Sequence, residues 1–162
     1  MQHDPINILV TIDRNYIRYF GIMLYSLLRS NPNENFDVYI MNTALTDEDV
    51  SLPRRIIDGR GSIRLVRVAE DGLGSAPTTD RYPREMYYRI FAAEYLPRRI
   101  DRVLYLDPDI IVNGSVRELY DTPMGDAFSQ PPRTSAAFCI SSTSFALTWT
   151  KKARTSIPAS CL

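Results

Sequence analysis

The chain is short of the residues that carry several common chemistries. Its two cysteines, Cys139 and Cys161, stand too far apart for a C-x-x-C pair, and they read as free thiols of a reducing compartment. The one histidine, His3, lies at a terminus and makes a poor metal ligand. Charge of one sign is lacking too: nineteen basic residues balance nineteen acidic ones, so no global field favours nucleic acid or an anionic membrane. Any anion site must be local. Long apolar runs are missing as well, since the run from Ile6 to Ile12 carries Asn7, stops at Asp13 and follows no basic segment. It is neither signal peptide nor membrane span. Gly72-Leu73-Gly74-Ser75-Ala76-Pro77 approaches a dinucleotide fingerprint, but Pro77 replaces the third glycine and no helix opens directly after it.

What is present is ordinary globular protein, 162 residues with 44% hydrophobic and 23% charged, enough for one domain with its own core. Ile6 to Ile12 is β-branched and nearly continuous, which fits a strand buried on both faces. Asp13 to Tyr16 makes the turn into a helix over Tyr16 to Arg29, where Ile17, Phe20, Leu24, Leu27 and Leu28 recur at helical spacing before Ser30-Asn31-Pro32. Asp37 to Met41 is a second strand. Thr46 is expected to cap a second helix carrying Val50, Ile56 and Ile57 and ending at Gly59-Arg60-Gly61; the acids Asp47-Glu48-Asp49 complement its dipole. Ser62 to Val68 alternates as a third strand. Glu70 to Pro83 is a long loop, Arg84 to Leu96 a further helix, and Val103 to Leu106 a strand. A short strand over Ile110 to Val112 and one helical turn over Val116 to Tyr120 complete the pattern. Strands alternating with helices predict an α/β domain with a mainly parallel sheet and right-handed crossovers. Tyr25, Tyr87 and Tyr95 read either as an interface or as half-buried core.

The most informative stretch is Arg102 to Gly114, R-V-L-Y-L-D-P-D-I-I-V-N-G. Pro108 fixes its own φ, donates to no ladder and biases Asp107 toward an extended conformation, so the triplet Asp107-Pro108-Asp109 is a corner rather than part of a strand. Two carboxylates at such a corner form a hard, oxygen-rich donor set suited to Mg²⁺ or Mn²⁺ beside a diphosphate. A plain turn is the alternative, because Asp and Pro are ordinary turn residues. In parallel sheets ligands collect beyond the carboxyl ends of strands, where Asp13 and Asp107 would both lie. Asp13 and Asn15 offer polar groups for a base or ribose and Tyr16 a ring for stacking, although Asp and Asn beside a helix start are also common caps.

Taken together, Ile8 to Tyr16 (I-L-V-T-I-D-R-N-Y), Met86 to Phe91 (M-Y-Y-R-I-F), Val103 to Val112 and Glu118 to Asp121 (E-L-Y-D) make the chain resemble the N-terminal part of a family 8 glycosyltransferase. That resemblance implies a GT-A fold, a Rossmann-like, mainly parallel sheet with flanking helices, incomplete here at the C-terminal end. It implies a bacterial-type, metal-dependent transfer of glucose or galactose from UDP-glucose or UDP-galactose to a hydroxyl of a glycan or lipopolysaccharide-type acceptor, with the anomeric configuration retained. By the same resemblance Asp107 and Asp109 hold Mn²⁺ (or Mg²⁺) against the diphosphate, and Thr11, Asp13, Asn15 and Tyr16 cradle uridine. Arg89 reaches the donor sugar or diphosphate as the catalytic cation. On its own residues Arg89 reads equally as a side chain snorkelling from an apolar face or pairing with Glu85 or Glu94. The expected location is cytoplasmic, peripheral at the inner membrane face, with no nucleic-acid partner and no transmembrane segment.

From Ser129 onward the sequence is rich in Ser, Thr, Ala and Pro without a sustained period. The expected organisation is therefore a partial GT-A domain over 1–128 followed by an atypical tail, 129–162, disordered or read out of frame. Family members carry an Asn-Ser-Gly stretch and a later His and Lys, including the third metal ligand, and these are missing. A non-catalytic nucleotide-sugar-binding fragment is thus the second functional reading. A receiver-like phosphoacceptor domain ranks last, because Ala69-Glu70-Asp71 is a weak match to its acceptor position.

Overall fold

The computed structural model describes residues 4–68, 92 and 94–122, together with the backbone of 139–140 and 146–150. Strands β1 (Ile6–Thr11), β2 (Phe36–Asn42), β3 (Gly61–Arg67) and β4 (Arg102–Leu106) are mutually parallel neighbours in the order β3-β2-β1-β4. Helix α1 (Ile17–Ser30) links β1 to β2, and α2 (Ser51–Ile57) links β2 to β3. The alternation of helix and strand has produced the expected parallel sheet.

Period-two alternation sorts each strand's side chains onto two buried faces. Ile6, Ile8 and Val10 of β1 join Phe36, Val38 and Ile40 of β2 and Leu104 and Leu106 of β4 in the core that α1 covers with Phe20, Met23, Leu24 and Leu27. Leu9, Tyr39, Met41, Val103 and Tyr105 form the opposite core with Leu96 and Ile100. Burial on both faces explains why the strands are apolar nearly throughout.

Helix α1 ends where Asn31 takes over one of its last carbonyls. The Asn31 amide donates to Leu27 O at 2.9 Å and to Gly114 O at 3.2 Å, and its oxygen accepts from Val116 N at 2.8 Å. A buried polar side chain thus fastens the helix end to the segment after β4. At the other chain reversal, Gly59 has φ +73° and Gly61 φ +147°. A Cβ on Gly61 would stand 1.8 Å from Phe36 O, so only glycine brings β3 this close to β2.

Several expected boundaries move. Residues 47–50 form a turn and α2 begins at Ser51, because Thr46 spends its cap on that turn: its N–H and hydroxyl each donate to Asp49 at 2.8 Å. Ile110 to Val112 is not a strand. Ser26 Oγ accepts from Val112 N at 2.9 Å and Ser30 Oγ donates to Val112 O at 2.8 Å, so α1 side chains satisfy the backbone that a ladder would have used. The single turn of helix is α3 (Arg117–Asp121). Ala92, Glu94 and Tyr95 are helical, in keeping with the end of the helix expected before Pro97; the rest of that helix and the loop over Glu70 to Pro83 lie outside the described residues.

Within the stretch read as a tail, β6 (Ala146–Thr150) pairs antiparallel with β4 from Arg102↔Thr150 to Leu106↔Ala146, and β5 (Cys139–Ile140) pairs with β6. The sheet therefore runs on into that stretch, completing the order β3-β2-β1-β4-β6-β5. Among the described residues no helix is long and apolar enough to cross a membrane.

Candidate functional site

The first two crossovers carry the chain to one side of β1, whereas β4 adds on the other, so strand order reverses between β1 and β4. Open α/β sheets bind ligands beyond the carboxyl ends of the strands at such a point. Ile8 pairs with Leu104 and Leu9 with Tyr105; continued two residues further, this register sets Asp107 level with Thr11. The two stretches singled out in the sequence thus meet at one end of the sheet.

At the end of β1, the hydroxyls of Thr11 and Tyr105 are hydrogen-bonded at 3.1 Å in a buried position. Asp13 then caps a short 3-10 turn, Arg14–Tyr16. Its Oδ1 accepts from the backbone N–H groups of Asn15 at 2.9 Å and Tyr16 at 3.1 Å, and its Oδ2 accepts from Asn15 Nδ2 at 2.9 Å. Asp13 and Asn15 are therefore locked to one another, with the capping geometry that their residue types allow. Tyr16 is 45% exposed and rests against Tyr19, the ring centroids 5.7 Å apart and tilted by 48°. That ring has an open face.

A cleft of about 310 Å³ opens beside this turn, lined by Ile12, Asp13, Arg14 and Asn15 from the end of β1 and by Asn42, Thr43, Ala44 and Leu45 from the end of β2. The second half of this lining was missed in the sequence. Its signal was Asn42, a polar residue closing an apolar strand: buried, it accepts from Leu45 N at 2.9 Å and donates to Ile40 O at 3.1 Å, shaping the loop. The far wall is held by Arg14, which meets Asp49 at 2.9 Å through both Nε and Nη2. The Thr46 backbone N–H, then Arg14, then the Thr46 hydroxyl hold the Asp49 carboxyl down from 3.8 to about 2. The acidic triplet Asp47-Glu48-Asp49 is thus a structural one, with Asp47 paired to Arg54 at 2.7 Å.

The corner beyond β4 has the expected form. Pro108 is buried, Asp107 half-buried and Asp109 exposed, so the proline anchors a turn that presents its carboxylates outward in different degrees. Two carboxylates supply hard oxygen donors that fit Mg²⁺ or Mn²⁺, and among the described residues no group of three or more His, Cys, Asp or Glu gathers around a metal position. Diphosphate and water oxygens would complete the shell. Arg89 lies outside the described residues.

The fold belongs to the class of open, mainly parallel α/β sheets with flanking helices. Comparison makes the assignment specific: the sequence model of Glycosyl transferase family 8 matches residues 7–158, and the chain belongs to that family. The match reaches through β6, so it includes most of the stretch expected to fall outside it. Curated relatives include the lipopolysaccharide 1,2-glucosyltransferase of Escherichia coli K12, 30% identical over 115 residues covering 70% of this chain and 34% of the relative. The lipopolysaccharide 1,3-galactosyltransferase of Salmonella typhimurium is 30% identical over 119 residues, 73% of this chain and 35% of the relative. The chain spans about a third of the length of these relatives. Among solved structures, the galactosyltransferase LgtC in complex with donor and acceptor sugar analogues superposes with a TM-score of 0.72 at 21% identity, covering 93% of this chain and 60% of LgtC. The glycosyltransferase GlyE of Streptococcus pneumoniae superposes at 0.62 and 22% identity, covering 93% of this chain and 35% of GlyE. The fold is GT-A.

Proposed function

We propose that this chain is the donor-binding part of a retaining glycosyltransferase that moves glucose or galactose from UDP to a hydroxyl of a lipopolysaccharide-type acceptor on the cytoplasmic side of a membrane. The observation that carries the reading is the Asp107-Pro108-Asp109 corner at the end of β4, next to β1, in a family 8 chain. Lipopolysaccharide glucosyl- and galactosyltransferases among the relatives support the choice of sugars and acceptor class. In this reading 1–128 is the nucleotide-sugar half and the strands of the following stretch serve to finish its sheet.

Each residue has a physical task. Asp107 and Asp109 would hold a divalent cation, which when bound would supply positive charge against the departing diphosphate. Arg89 adds a guanidinium against the same charge. Tyr16 offers its open ring to uracil, while Asp13 and Asn15 border the ribose and Thr11 supports the turn from behind. Breakage of the sugar–oxygen bond leaves its electron pair on UDP; the acceptor oxygen forms the new bond to the anomeric carbon and gives up its proton to the released diphosphate or to water. The cleft beside the turn contributes the pocket for the nucleoside.

A second reading, of a different class, is a domain that binds UDP-sugar without transferring the hexose. Release of UDP from UDP-glucose or UDP-galactose, followed with Mn²⁺ and with a lipopolysaccharide-core acceptor, separates the two. Release that depends on the acceptor and disappears in Asp109→Ala supports transfer; nucleotide binding with no release assigns the chain to the second reading.

A further inference from the structure

We propose that the outward face of α1 is a docking surface for an anionic lipid bilayer. The core side of the helix is settled by Phe20, Leu24, Leu27 and Leu28, all buried. At 100° per residue the opposite side carries Arg18, Ile22, Tyr25 and Arg29, spaced i, i+4, i+7, i+11 along one line. Ile22 is 51% exposed and Tyr25 58%, and Tyr19, 54% exposed, stands beside them. Ile111, 65% exposed, widens the patch, because the bonds of Ser26 and Ser30 to Val112 hold its segment against the same helix.

Charge selects the occupant. Helix α1 contains no acidic residue, and its two arginines bracket the apolar centre. Arg14 and Arg54 nearby are paired with Asp49 and Asp47, whereas Arg18 and Arg29 have no ion-pair partner among the described residues. Guanidinium groups at both ends of an aromatic and aliphatic stripe match the boundary between anionic headgroups and acyl chains. A second copy matches it poorly: two-fold pairing of α1 with itself sets Arg18 against Arg29 of the other copy, or each against its equivalent, like charge on like. Because the chain carries no net charge, such attraction has to be local, as it is here. The stripe starts beside Tyr16 at the turn next to the cleft, so a lipid-anchored acceptor would meet the protein on the same side; that last step rests on the proposed transfer reaction.

Flotation of the full chain with vesicles of phosphatidylcholine, alone or with phosphatidylglycerol, tests the surface. Binding is expected only with phosphatidylglycerol and is expected to weaken as salt rises. Arg18→Gln/Arg29→Gln should lower partition about 25-fold, at roughly fivefold per arginine, and Ile22→Ser/Tyr25→Ser by about tenfold or more. Arg98→Gln/Arg99→Gln, the same charge change at other exposed positions, should leave it within about twofold. Circular dichroism and UDP binding of the stripe variants should match the unsubstituted chain. Absence of lipid preference, equal loss in the Arg98/Arg99 control, or a dimer in sedimentation that the stripe variants dissociate would each overturn the proposal. Loss of UDP binding with vesicle binding intact would count only against the transferase reading.

Discussion

The hydroxyl of Thr11 meets that of Tyr105 at 3.1 Å, joining the ends of β1 and β4 where the strand order of the sheet reverses. This contact couples the Asp13 turn, two residues beyond Thr11, to the acidic corner, two residues beyond Tyr105. Tyr105→Phe and Thr11→Val are each expected to cost about 0.5–1.5 kcal/mol in urea unfolding, with the pair of substitutions costing less than their sum. Additive losses would show that the two hydroxyls act independently.

The wall of the cleft should be sensitive to acid. Asp49 has its carboxyl held at about 2, below the ordinary 3.8, so its stabilising contribution is complete above 3.8 and disappears as pH falls toward 2. Asp49→Asn should flatten the fall of stability across that window in thermal unfolding at stepped pH. An unchanged slope would mean that Arg14 and Thr46 do not hold this carboxylate in solution.

Asn31 is expected to matter more than its size suggests. Asn31→Ala leaves the buried Val116 N without this partner, at about 1–3 kcal/mol, whereas the exposed Gly114 carbonyl can turn to water. On the same helix, Leu24→Ala should cost about 2–5 kcal/mol, whereas Ile22→Ala on the outward side should stay within about 0.5 kcal/mol. Equilibrium denaturation of the three variants gives the ranking. A loss at Ile22 equal to that at Leu24 would contradict the assigned orientation of α1.

The parallel sheet was legible because its strands are buried on both faces: I-N-I-L-V-T and V-L-Y-L announce themselves without any partner. The corner was legible because Pro108 interrupts such a run between two acids. Ile110 to Val112 misled for the same reason, since β-branched residues indicate a taste for extended backbone and say nothing of whether Ser26 and Ser30, more than eighty positions earlier, will satisfy it. The strand Ala146–Thr150 was hidden in a stretch rich in serine and threonine, where pairing with β4 decides the conformation. The β2 half of the cleft was missed because a single Asn after a strand reads as an ordinary turn residue until the fold brings it beside Asp13.

Calorimetric titration of UDP into the protein, with and without Mn²⁺ and repeated on Asp107→Ala/Asp109→Ala, tests the central claim most directly. The account predicts binding that requires Mn²⁺ and vanishes in the double variant while circular dichroism stays unchanged. Binding of equal strength without the metal, or its survival when both carboxylates are gone, would contradict it.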